Sequence, residues 1–221
     1  MSARRIELQQ NLESVEQRVL KALNGRNRES LTLVVVTKTF PVEDVQILYE
    51  LGVRHFGENR DHEGSEKAPT IPSDAHWYFQ GEIQSRKIKS IAGWAKTILS
   101  LDSLDHATKF ASYGDHEYFL QVNLQPERVD RGGVKPSALA QFIDSSSVPI
   151  TGLMCVPPLE RDPKEAFAEV TSLRQGLQEQ GYSQLTGLSI GMSTDFEAAI
   201  SAGATHIRVG SSILGSRQPI A

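Results

Sequence analysis

The sequence predicts an α/β fold, a single-domain (β/α)8 TIM barrel spanning residues 1–221. Three observations support it. Eight apolar or β-branched runs alternate with helix-like segments, no linker or change of composition divides the chain, and the length suits one barrel. A doubly wound open sheet is the competing arrangement, because it uses the same alternation.

The first element is an extra N-terminal helix within residues 1–25, which we expect to pack on the barrel. Leu8, Leu12, Val15 and Val19 follow helical spacing, and Gly25 suits a helix end. The candidate strands come next, at residues 31–37, 53–58, 76–81, 97–102, 117–124, 150–156, 185–191 and 205–210.

Several of the intervening helices carry start and stop signals. Proline or aspartate begins the predicted helices, and glycine ends most of them. On this basis helices are predicted within residues 41–52, 136–143, 162–181 and 195–203.

The composition excludes several classes of function. The net charge is -4, with 23 basic and 27 acidic residues, so no positive field attracts nucleic acid. The single cysteine, Cys155, cannot form an intramolecular disulfide. No run approaches the roughly 20 apolar residues of a membrane span. The six histidines lack metal-ligand spacing. We therefore predict a cytoplasmic protein without metal, nucleic-acid or membrane partners.

Two basic residues lie at the ends of predicted strands, where a barrel places its functional groups. Lys38 follows the first strand, and its amine suits a Schiff-base nucleophile or an anion anchor, although a solvated lysine beside a turn is the simpler alternative. Arg208 interrupts the apolar eighth strand. Its guanidinium must meet an anion, a ring nitrogen or a buried carboxylate such as Glu58.

Small residues after the seventh and eighth strands predict a phosphate site. Gly191 and Ser193 follow the seventh strand, and Gly210, Ser211 and Ser212 follow the eighth. Loops at these two positions usually bind phosphate in this fold, although both glycines also suit ordinary turns. A lysine, a phosphate site and an arginine able to face a pyridine nitrogen together match pyridoxal 5′-phosphate, PLP.

Longer motifs extend this match over nearly the whole chain. The motifs are VTKT (36–39), FGEN (56–59), GLM (152–154), LSIGMS (188–193), DFEAAI (195–200) and IRVG (207–210). Taken in this order along the chain, they resemble the YggS/PROSC family of pyridoxal phosphate homeostasis proteins.

The resemblance implies a barrel similar to the N-terminal domain of alanine racemase, with PLP held as an internal aldimine on Lys38. Arg208 would face the pyridine nitrogen, and Asn59 and Met154 would lie beside the cofactor. The implied phosphate ligands are Ser193, Gly210 and Ser211. The implied function is intracellular PLP homeostasis by a monomer that stores, buffers or delivers PLP, with apo-PLP enzymes as recipients and no defined catalytic activity.

The chain departs from the family pattern at Arg60, where tyrosine is usual, and at Tyr78 and Glu82 in the third strand end. Because Arg60 and Glu82 have opposite charges and follow neighbouring strands, we predict an ion pair between them.

Two alternatives use the same lysine. A PLP-dependent amino-acid racemase needs a second base, which alanine racemase takes from an extra β domain. This chain ends at Ala221, directly after the last strand, so only Tyr78 or Tyr113 is available for that role. A Schiff-base aldolase would use Lys38 and the phosphate site, but it leaves Arg208 without a task.

Overall fold

Eight parallel strands close into a barrel in the computed structural model, which describes residues 2–128 and 130–215. The strands pair in chain order, and β8 pairs with β1. The predicted TIM barrel is confirmed, and the open sheet is excluded. The strands are β1 Thr32–Val36, β2 His55–Glu58, β3 His76–Phe79, β4 Thr97–Leu101, β5 Glu117–Val122, β6 Ile150–Cys155, β7 Gly187–Ser189 and β8 His206–Val209.

Helices surround this barrel, and each helix predicted from its start and stop signals is confirmed. Short 3-10 turns at Arg28–Ser30, Ala68–Thr70, Ser85–Lys87 and Pro136–Ala138 supplement them. Ala221 lies outside the described residues, and the assignment of 1–221 to one domain stays a prediction. The α-helices are α1 Ala3–Leu23, α2 Val42–Glu50, α3 Asp61–Lys67, α4 Ile88–Trp94, α5 Leu104–Phe110, α6 Leu139–Ser145, α7 Pro163–Glu179, α8 Phe196–Ser201 and α9 Ser211–Leu214.

The N-terminal helix α1 packs on the barrel as predicted. The Ser2 side chain accepts a hydrogen bond from the backbone of Arg5 at its start, and Asn24 ends it in the left-handed conformation. Leu8 and Val19 are fully buried, and the helix contacts α2, α8 and α9. It therefore covers the seam where the last and first units of the barrel meet.

Buried apolar side chains form two separate clusters in the part of the chain that the structure describes. The larger lies between the strands and the helices. The smaller fills the inside of the barrel, where a Cβ on Gly152 or Gly187 would come within 2.5 or 2.4 Å of the Phe119 ring. Those two glycines thus make room for the ring. The inner cluster consists of Val34, Tyr78, Leu99, Phe119 and Met154.

No helix within residues 2–128 and 130–215 has the length and hydropathy that a membrane crossing requires. In the same residues, no three or more histidine, cysteine, aspartate or glutamate side chains form a group able to hold a metal ion.

Histidines at the strand starts form the floor of the barrel. His55 Nδ1 lies 3.0 Å from the Tyr78 hydroxyl, and His76 Nε2 lies 2.7 Å from Thr97 Oγ1. The His206 ring packs edge-on against Tyr78, with 5.9 Å between ring centroids. Burial lowers the pKa of His55, and burial together with neighbouring positive groups lowers the pKa of His76 and His206 to about 4. The floor is therefore built from neutral imidazoles.

This floor makes stability depend on pH. Between pH 6.5 and about 4, these histidines bind protons in the unfolded chain but not in the folded one. The free energy of unfolding therefore falls as the pH drops through this window. The contribution is fully present above pH 6.5. His206, whose pKa is lowered to about 4, contributes to this fall together with His55 and His76. Denaturant titrations from pH 7 to pH 4 should show this fall, and a smaller fall in His206→Asn; equal slopes in both proteins would contradict the assignment.

Candidate functional site

The residues that the sequence predicts as a site come together at the C-terminal end of the barrel. They line one cavity of about 340 Å³. They follow or end five different strands, which closure of the barrel brings to the same rim. The seven predicted residues in the lining are Lys38, Asn59, Met154, Ser193, Arg208, Gly210 and Ser211.

Lys38 occupies a tight turn at the end of β1. The turn closes through a hydrogen bond from the Phe40 N–H to the Thr37 carbonyl, at 3.1 Å. Lys38 is half-buried, whereas Thr37 before it is fully buried. Thr39, after it, has a φ of 69°. The lysine is therefore held at the cavity wall by a turn with unusual backbone geometry.

Backbone N–H groups at the end of β8, next to the end of β1, converge on Ser193. Ser193 Oγ accepts hydrogen bonds from the N–H of Gly210 at 3.2 Å and of Ser212 at 3.3 Å. A Cβ on Gly210 would lie 3.1 Å from the Val36 carbonyl oxygen, so the close approach of these two loops favours glycine. An anion bound here would take over these N–H donors from Ser193 Oγ and accept from the serine hydroxyl as well.

Arg208 is 4 % exposed and bonds mainly to carbonyl groups. Its Nη1 donates to the Ser189 carbonyl at 2.7 Å and to Ser189 Oγ at 2.8 Å, and its Nη2 donates to the Cys155 carbonyl at 3.1 Å. The sequence-based alternative of an ion pair with Glu58 is wrong, because Glu58 pairs with Lys67 at 2.7 Å. Since neutral carbonyls satisfy Arg208, its positive charge is left to act on the cavity.

Burial lowers the pKa of Arg208 to about 10, which still leaves the guanidinium charged at neutral pH. Burial also raises the pKa of the neighbouring Cys155 thiol to about 12, so this cysteine stays protonated and brings no negative charge. The wall of the cavity beside Arg208 is therefore cationic.

Two buried amide oxygens in the lining have no hydrogen-bond partner within the described residues. They belong to Asn59 and Gln80. Burying such an oxygen is costly unless a donor reaches it, so both atoms suit a polar group of a bound ligand. Gln80 was not predicted as a site residue, although its place directly after β3 was a usable signal.

Arg60, Tyr78 and Tyr113 do not line the cavity, and Arg60 pairs with a different residue from the one predicted. Arg60 lies 3.6 Å from Glu63, and the predicted ion pair with Glu82 is not formed. Tyr78 is 2 % exposed and lies in the barrel interior, with its pKa raised by burial. Tyr113 is 43 % exposed beyond the end of α5. Neither tyrosine lines the cavity.

The chain resembles curated relatives over almost its full length. It is 39% identical to the pyridoxal phosphate homeostasis protein of Corynebacterium glutamicum, over 92% of this chain and 99% of that protein. The protein of the same name in Schizosaccharomyces pombe is 34% identical, over 93% and 91%. The chain belongs to the family of pyridoxal phosphate homeostasis proteins. A comparison with models of known protein families finds no match.

Solved structures agree with this family assignment. PipY of Synechococcus elongatus with PLP bound has a TM-score of 0.81 and 30% identity, over 94% of this chain and all of PipY. Alanine racemase from Corynebacterium glutamicum has a TM-score of 0.65 at 14% identity, over 95% of this chain and 60% of that enzyme. The racemase likeness confirms the predicted alanine-racemase-like barrel, and at this identity it concerns the fold alone.

The turn at Gly191 depends on glycine. Gly191 has a φ of 90°, and a Cβ there would lie 2.5 Å from Ala199 Cβ. We expect Gly191→Ala to lower the free energy of unfolding by about 2–4 kcal/mol and to displace the Ser193 loop. Gly176→Ala is the matched control, because Gly176 lies in α7 with open space around it; it should stabilise the protein by about 0.5–1 kcal/mol. Chemical denaturation checks both values, and equal effects would refute this explanation.

Proposed function

We propose that this chain binds PLP covalently through Lys38 and serves intracellular PLP homeostasis by storing, buffering or delivering the cofactor. One observation carries the proposal. A half-buried amine, an N–H donor site and a charged arginine line the same cavity of about 340 Å³ at the C-terminal rim of the barrel. The PLP-bound PipY structure, of the same fold and 30% identical, supports it.

Each group of PLP has a suitable partner among the lining residues. Ser193, with the N–H groups of Gly210 and Ser212, suits the phosphate, and Ser211 lies beside them. Met154 offers an apolar surface for the ring, and the unpartnered Asn59 oxygen suits a polar substituent. Arg208 supplies the group that faces the ring nitrogen.

The link to Lys38 is a condensation. The Nζ of Lys38 attacks the aldehyde carbon, a carbon–nitrogen double bond forms, and one water molecule leaves. Water or a second amine reverses the step and releases the cofactor. When bound, PLP supplies an electron sink for carbanions, and protonation of the ring nitrogen strengthens that sink. The positive charge of Arg208 opposes this protonation, so the chain holds the cofactor in a weakly reactive form.

The racemase alternative lacks a second base in the cavity. Tyr78 points into the barrel interior and bonds with His55 at the floor, and Tyr113 lies outside the lining. Lys38 is therefore the only amino-acid side chain suited to move a proton at the reacting carbon among the described lining residues. The aldolase alternative gives the charge of Arg208 no role.

We also propose that the protein acts in the cytoplasm as a monomer and transfers PLP to apo-PLP enzymes. The single buried cysteine supports the cytoplasmic part of this proposal, because a chain with one cysteine forms no internal disulfide and suits a reducing compartment.

Substitution of Lys38 tests the covalent link. The purified protein saturated with PLP should be yellow, and borohydride reduction should attach the cofactor to the peptide that contains Lys38. Lys38→Ala should lose both signals because it lacks the amine, whereas the exposed Lys89→Ala should keep both. Mass spectrometry identifies the labelled peptide, and labelling of another lysine would refute the assignment.

Transfer and turnover separate the carrier from the racemase. The PLP-loaded protein should activate an apo-PLP enzyme, as followed by that enzyme's own assay against free PLP at equal concentration. Chiral chromatography after long incubation with L- and D-amino acids should find no turnover at ordinary enzyme rates, on the order of 1 per second. Racemisation at such rates would replace the carrier function with the enzymatic one.

A further inference from the structure

A buried cluster of charged side chains lies directly behind the Lys38 turn, outside the cavity. Its centre is Lys67, at the end of α3, whose side chain is only 5% exposed. The Lys67 ammonium donates to Glu58 Oε1 at 2.7 Å, to the Thr37 carbonyl at 2.9 Å and to Glu63 Oε2 at 3.1 Å. The Glu58 side chain is completely buried. One cation thus joins two carboxylates to the backbone of the turn.

The cluster holds the residue on each side of Lys38. The Thr37 hydroxyl donates to Glu58 Oε1 at 2.6 Å, and the Thr39 N–H donates to Glu63 Oε2 at 2.6 Å. Both acceptors are carboxylates that also pair with Lys67. The residues on both sides of Lys38 are therefore held by two carboxylates that share one cation, Lys67.

The turn needs such support because its backbone is strained. Thr39 has a φ of 69°, a region that β-branched residues rarely occupy. A conformation of this kind costs about 1–3 kcal/mol and persists only where the surroundings impose it. The hydrogen bond from Thr39 to Glu63 supplies that constraint.

Charge balance shows why Lys67 is the central member. Burial raises the pKa of Glu58, and the charge and hydrogen bond of Lys67 oppose this rise. Burial would also raise the pKa of Glu63, but the hydrogen bonds from Thr39 and Lys67 lower it below its usual value. Without Lys67, Glu58 would be left as a buried carboxylate that accepts a side-chain hydrogen bond from the Thr37 hydroxyl.

We propose that Lys67 is a positioning residue for Lys38, acting through Glu58, Glu63 and the strained turn to aim the Lys38 amine at the cofactor aldehyde. The proposal rests on the proposed function, in which Lys38 binds PLP. It assigns a purpose to a buried lysine that does not itself line the cavity. The rival explanation is that the cluster only stabilises the fold.

Two variants separate positioning from stability. Lys67→Met keeps the length of the side chain and removes its charge, so it leaves Glu58 uncompensated and destabilises the fold. The double variant E58Q/K67M removes both buried charges and should regain most of the thermal stability. It does not restore the lost hydrogen bond to the Thr37 carbonyl. Lys96→Met is the matched control, because the exposed Lys96 donates to the Ser73 carbonyl far from the turn.

The first measurement is the dissociation constant for PLP. The second is the pH dependence of the visible absorption band, because this band reports the environment of the carbon–nitrogen double bond to Lys38. We expect at least tenfold weaker PLP binding in both K67M and E58Q/K67M, with a shifted pH dependence, and no change in Lys96→Met. PLP binding in the double variant within twofold of the original protein would overturn positioning. If the original protein and Lys38→Ala bind PLP equally well, the proposed function itself fails.

Glu63→Ala keeps the test decisive if the Lys67 variants do not fold. It removes the acceptor of the Thr39 N–H and leaves the buried pair of Lys67 and Glu58 in place. Alanine is also favourable within α3. We expect PLP binding at least threefold weaker with little loss of thermal stability. Unchanged binding in Glu63→Ala, with Lys67→Met unfolded, would assign the cluster to stability alone.

Discussion

Pairing of β8 with β1 closes the barrel, and the arrangement of the site depends on it. The register places Val34 opposite Arg208 and Val35 opposite Val209, so the last strand ends beside the turn that carries Lys38. Residues more than 150 positions apart in the chain thereby share one cavity. The helix α1 covers this seam, where its Arg4 pairs with Asp44 at 2.6 Å and also bonds to the Leu214 carbonyl at 3.0 Å. The N-terminal helix therefore bonds to both the first and the last helix of the barrel, α2 and α9.

Closure also buries polar groups, and the structure satisfies them in two different ways. Arg208 bonds to neutral carbonyls and keeps its charge available to the cavity. Lys67 instead bonds to two carboxylates and neutralises charge behind the cavity wall. A buried cation therefore acts on a ligand in one place and supports the backbone in the other. The distinction depends on the partners of each cation and not on its burial, since both side chains are almost fully buried.

The alternation of strands and helices was sufficient to predict the barrel, because apolar runs and start signals are local features. Short α3, α4 and α5, of seven residues each, lack a repeated apolar pattern and were not located individually. Lys38, Arg208 and the small residues of the phosphate site followed from the position of strand ends, whereas Asn59 and Met154 came from the family resemblance. Lys67 could not be found in this way, since its partner Glu58 lies nine positions away and the contact depends on how α3 packs. The ion pair predicted for Arg60 failed because Glu63 is nearer, one turn along the same helix.

The two buried cations together explain how a barrel shared with racemases can favour retention of a cofactor. A protonated ring nitrogen strengthens PLP as an electron sink, and a two-base racemase also needs a second proton-transfer group on the far face. Arg208 opposes protonation of the ring nitrogen, and its own hydrogen bonds go to two carbonyl groups and the Ser189 hydroxyl. The position of Tyr78 in the barrel interior leaves the need for a second proton-transfer group unmet among the described lining residues. Lys67, meanwhile, fixes the turn that presents Lys38. A site that aims its amine firmly and suppresses the electron sink is suited to hold an aldehyde reversibly.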